Sequence, residues 1–81
     1  MELQDTVEPM LAVDWKDRFR AEYYQLKIRK ERLEMMCQRY AANNLNFKPN
    51  CSLKLLRHQV MIMSLYLDIL EERAAIEHVG L

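Results

Sequence analysis

The chain has 81 residues, of which 51% are apolar and 30% charged, with 12 basic and 12 acidic side chains and no formal net charge. This length allows one domain with a modest core, and the composition excludes a disordered chain. One glycine and two prolines are too little punctuation for many short strands, so an all-α protein is expected.

Residues 1–13 show no sustained period and contain Pro9, and they read as an N-terminal arm whose Val7, Met10, Leu11 and Val13 have apolar surface to pack. Asp14 stands where a helix N-cap belongs, with Asp17 in the first turn. From there Trp15, Phe19, Leu26, Leu33, Met36 and Tyr40 form one helical stripe, predicting a long helix over about 14–43 that stops at Asn43-Asn44.

Asn46, Pro49 and Asn50 mark a loop over 44–51, and Ser52 is a fitting N-cap for a second helix over about 52–79. Its stripe is Leu53, Leu56, Val60, Met63, Leu67, Leu70 and Ala74, and Gly80 is placed to close it. Two long helices and a short loop predict an antiparallel two-helix hairpin over 14–81. The second helix also carries Leu55, Ile62, Leu65, Ile69 and Ile76 on a neighbouring face, more apolar surface than one partner helix covers. Assembly into a homo-oligomeric helical bundle is the simplest way to bury it.

Some polar residues fall at seam positions of this hairpin: Glu22 and Arg29 in the first helix, Gln59, Tyr66 and Arg73 in the second. A loop centred near Phe47 would set Glu22 opposite Arg73, Arg29 opposite Tyr66, and Met36 opposite Gln59. Such pairs either fix the register or line a polar pocket between helices.

Charge is unevenly placed. No Asp or Glu occurs between Met35 and Leu67, whereas Arg39, Lys48, Lys54 and Arg57 all do. With His58, the aromatic Tyr40 and Phe47, and the helix start at Ser52, they make the loop end a candidate site for phosphate with a stacked base. Four cations are few for tight duplex binding, and no helix-turn-helix spacing occurs, so a small phosphorylated ligand is expected rather than DNA.

No phosphate loop, nucleophile elbow or zinc-protease motif is present, and the two histidines fall near opposite ends of the hairpin, so no enzyme is expected. Cys37 and Cys51 read as reduced thiols, and with His58 they make no paired spacing for a metal, so neither metal nor cofactor is expected. The N-terminus has no apolar leader and no stretch is apolar enough for a bilayer, which predicts a cytoplasmic chain without membrane contact.

Trp15, Arg18, Glu22, Leu26, Arg29 and Leu33 in the first helix form one half of a recognisable pattern. Leu55-Leu56, Gln59, Met63, Tyr66, Ile69-Leu70 and Arg73 form the other. Together they resemble a family of small bacteriophage proteins named after an open reading frame of a crAss-like phage. The likeness covers both helices and leaves out the arm. It implies a phage origin, a bacterial host cytoplasm and a compact helical hairpin, and it supplies no catalytic residues. Small helical phage proteins of similar outline include oligomeric sponges for the nucleotide signals of antiviral defence. The sequence-level expectation is therefore a non-enzymatic phage protein that sequesters a small anionic, nucleotide-type signal. The alternative is an interaction module that docks the apolar face of its second helix on a host or phage protein.

Overall fold

The fold is described here from a computed structural model covering residues 1–81, and it is all-helical, without strands. A 3-10 turn, Leu3–Thr6, runs into the short helix α1, Val7–Met10, and two long helices follow: α2, Trp15–Ala41, and α3, Leu53–Ile76. The molecule is elongated, 43 × 24 × 17 Å.

Each long helix starts on a side-chain cap. The Asp14 carboxylate accepts from the Lys16 N–H at 2.9 Å and the Ser52 hydroxyl oxygen accepts from the Leu55 N–H at 3.1 Å, satisfying donors that the first turn leaves open. Both also stop by the same device. Asn43 and His78 adopt φ 55°, and the next residue's N–H reaches back to a carbonyl in the last turn, Asn44 to Arg39 and Val79 to Ala74, each at 2.8 Å. This is the left-handed close of a Schellman turn. It ends α3 at Ile76 rather than near 79, and His78, not Gly80, takes the left-handed position.

The helices α2 and α3 pack antiparallel, as their cross-links show. The Phe19 ring meets the Arg73 guanidinium, the Tyr23 hydroxyl donates to Glu71, and the Tyr40 hydroxyl donates to the Cys51 carbonyl. Phe19, Tyr23, Leu67, Leu70, Ala74 and Val79 form the core, with Tyr24 and Leu26 packed on it, and Leu70 is fully enclosed. The core therefore sits where α2 begins and α3 ends. Towards the loop only Cys37 and Leu56 are buried.

The arm is more ordered than its sequence suggests. Glu2 and Asp5 form a reciprocal capping box over the 3-10 turn, and buried Thr6 donates to the Leu3 carbonyl at 2.7 Å. The arm lies on α2, with Thr6 buried and Leu3 and Pro9 half-buried, and the Gln25 amide of α2 donates to the Met10 sulfur at 3.1 Å. Val7, Met10, Leu11 and Val13, which the sequence offered for packing, are exposed. Arg18 ties the arm to α2 by donating to the Ala12 and Val13 carbonyls, and Arg20 holds the C-terminus by donating to the Gly80 carbonyl. No helix is long and apolar enough to cross a membrane.

Candidate functional site

After Asn43 the chain turns back along the last turns of α2, with Leu45 and Pro49 half-buried against it. The returning loop and the helix surface enclose a cleft of about 590 Å³ lined by Arg32, Met35, Met36, Arg39, Asn44, Leu45, Asn46 and Phe47. Arg32 and Arg39 are seven residues apart and so share one face of α2. The cleft holds two guanidinium groups, two amides and an aromatic ring, and no carboxylate lines it. Arg32 reaches Glu2 at 3.5 Å, whereas the Arg39 guanidinium has no ion-pair or hydrogen-bond partner. Phe47 is 55% exposed, which leaves a ring face open. Two forked cations beside a stacking surface suit an anion that carries a planar base.

The residues assigned to the loop end by sequence do not form one site within the protomer. Arg39 and Phe47 line this cleft. Tyr40, Phe47 and Lys48 line an adjoining recess of about 440 Å³, which shares Leu45, Asn46 and Phe47 with the cleft. Ser52, Lys54, Arg57 and His58 lie apart, in a groove of about 560 Å³ on the surface of α3 with Leu55 and Met61. The Ser52 hydroxyl already serves as a cap, accepting from the Leu55 N–H, rather than leaving that donor free. Arg32, Met35, Met36 and Asn44 are not among the site residues expected from the sequence, which places Met36 in the helical stripe and Asn44 at the helix stop. Their signal was helical spacing from Arg39, seven, four and three residues upstream, with Asn44 just past the helix stop.

The polar seam is also rearranged. Glu22 accepts from the Tyr66 hydroxyl instead of meeting Arg73, and Arg73 stacks its guanidinium 5.0 Å from the centre of the Phe19 ring. Arg29 and Gln59 are exposed and make no cross-helix hydrogen bond, because Tyr66 is taken by Glu22 and Met36 is directed to the cleft. Tyr23, absent from the predicted stripe, is buried and donates to Glu71 at 2.7 Å. That hydrogen bond first, and burial second, push its phenol up to about 12. Tyr66 is raised for the same reasons, led by its bond to Glu22. These contacts hold the two helices in register and line no enclosed pocket.

The largest concavity, about 850 Å³, lies between the arm and α2. Asp5, Glu8 and Asp17 outnumber Arg20 in its lining, and Arg20 is already engaged by Asp17 at 3.1 Å and by the Gly80 carbonyl. Its charge repels anions, so size alone does not make it the site. Nowhere do three His, Cys, Asp or Glu side chains converge as metal ligands, and Cys37 and Cys51 are both free thiols.

No curated protein and no solved structure matches the chain. A Sequestin family model matches residues 13–76, which take in α2, the loop and α3 and leave residues 1–12 of the arm outside. The matching family carries this name and not that of a crAss-like phage reading frame, and the name suggests a sequestering role. By that match, over more than half its length, the chain belongs to the Sequestin family.

Proposed function

We propose that the chain is a non-enzymatic phage protein that sequesters a small anionic, nucleotide-type signal of host antiviral defence in the host cytoplasm. The binding site is the cleft between α2 and the returning loop. The observation that carries this reading is that Arg32, Arg39 and Phe47 share one cleft that no carboxylate lines. Arg39 is the main phosphate ligand because no carboxylate of the chain neutralises it, and Phe47 stacks on the base. The Sequestin family name supports capture as the role. Arg57 and Lys54, on the separate α3 groove, take no part.

Calorimetric titration of the full chain with inorganic phosphate, a nucleoside monophosphate and a cyclic dinucleotide tests this. Saturable binding of a nucleotide is expected, weakened by about tenfold or more in Arg39→Ala, in line with loss of a charge-assisted hydrogen bond. Phe47→Ala should weaken nucleotides but not phosphate, and Arg57→Ala should change neither. Absence of binding, or equal affinity in Arg39→Ala, refutes the reading.

A further inference from the structure

The helix α3 is apolar on two sides. One side carries Leu56, Leu67, Leu70 and Ala74 into the core. On the other, Leu55, Ile62, Ile69 and Ile76 recur at seven-residue intervals, with His58, Leu65 and Glu72 interposed at the same period. The result is an unbroken alternation of three- and four-residue steps, the pattern of a helix that packs lengthwise against another helix. The five aliphatic side chains are 52–67% exposed. The arm touches α2 and not α3, so nothing within the protomer covers this side.

Charge along the outer side is divided. Lys54, Arg57 and His58 occupy the first turns of α3, while Asp68 and Glu72 stand in its last turns, and Glu71 is turned to Tyr23 of α2. The one cation of the acidic half, Arg73, is turned to the Phe19 ring. A parallel pairing of two such helices sets like charge on like charge. An antiparallel pairing sets each basic half against an acidic half and also opposes the helix dipoles.

We infer that the outer face of α3 is a homodimer interface, in which α3 packs antiparallel on a second copy about a two-fold axis beside Leu65. That axis seats Leu65 against its own copy, brings Ile62 near the second copy's Ile69, and places His58 across from the second copy's Glu72. A surface whose two halves complement each other about its own midpoint is matched by its own copy, which is the property of an isologous interface. The pairing is independent of what the Arg39 cleft holds. It covers the Lys54–Arg57–His58 groove with the acidic end of the second copy and leaves the cleft of α2 free.

The test is sedimentation equilibrium of the full chain across a concentration series, together with directed disulfide formation. A dimer is expected, and Leu65→Glu or Ile69→Glu should raise its dissociation constant by about a hundredfold or more with the circular dichroism spectrum unchanged, since both positions are exposed in the protomer. On a Cys51→Ser background, mixed His58→Cys and Glu72→Cys chains should form the mixed disulfide far faster than either variant forms a disulfide with itself. A monomeric chain, including one that binds a different protein through this face, overturns the inference. So does a dimer indifferent to both glutamates, and preferential same-site disulfides overturn the antiparallel orientation.

Discussion

Replacing Tyr23 by Phe removes one oxygen and leaves the ring in the core, which isolates the hydrogen bond that joins α2 to α3 near their fixed end. The Tyr23 ring is buried and its hydroxyl donates at 2.7 Å to Glu71, whose carboxylate stands at the exposed edge of the core. A hydrogen bond to a charged acceptor contributes about 1.5–3 kcal/mol when well enclosed, and exposure of Glu71 reduces this to about 1–1.5 kcal/mol. For a domain of this size that corresponds to a fall in melting temperature of about 4–12 °C, measured by circular dichroism at one protein concentration so that self-association does not enter the comparison. In a Glu71→Gln background the same Tyr23→Phe change should cost less, because the acceptor is neutral. The pH dependence carries a definite sign. The phenol is pushed from its ordinary 10 up to about 12, so the contribution is whole below pH 10 and disappears as pH rises through 12. The gap between wild type and Tyr23→Phe should therefore close over that interval. A gap that is absent at pH 7, that stays constant to pH 12, or that is equal in both backgrounds would refute the account of Tyr23 as a donor to an ionised Glu71.

Other substitutions test the packing and the helix ends. Leu70→Ala, at the one fully enclosed large core side chain, should cost about 3–4 kcal/mol in urea unfolding, since few neighbours are free to collapse into the space. His78→Gly should raise the melting temperature, by about 1 kcal/mol of added stability, because glycine takes φ 55° without strain; a loss would show that the imidazole holds the turn by some other contact. Under native conditions a thiol reagent should modify exposed Cys51 rapidly and buried Cys37 only through opening of the helix pair, so equal rates would contradict the packing of α2 at Cys37.

The sequence was most legible where one physical demand acted alone. In α3, burial decides the inward positions, and Leu53, Leu56, Val60, Met63, Leu67, Leu70 and Ala74 are all buried or half-buried. In α2 two demands overlap. Tyr23 and Cys37 join the inside because a phenol can bury its ring while its hydroxyl reaches Glu71, whereas Trp15, which looked like a core residue, stays 43% exposed against the edge of Phe19. The arm was opaque because its order comes from one buried threonine and a capping box rather than from a period. The loop end was legible in composition and not in geometry. Its basic residues were visible, but the direction in which a chain leaves a left-handed Asn43 and enters a capped helix decides which of them meet, and that separates Arg39 from Arg57.

The uneven distribution of the core bears on the proposed capture role. At one end Arg18, Arg20, the arm and the Leu70 cluster bind every segment to α2, while at the other the loop is fastened by half-buried Leu45 and Pro49 and by Tyr40 at 3.3 Å from the Cys51 carbonyl. Amide hydrogens should accordingly exchange fastest around the cleft and slowest around Leu70. Under the proposed capture role the molecule would work as a clamp whose hinge is the Leu70 end, and ligand binding should be recorded as slowed exchange around the cleft with the Leu70 end unchanged.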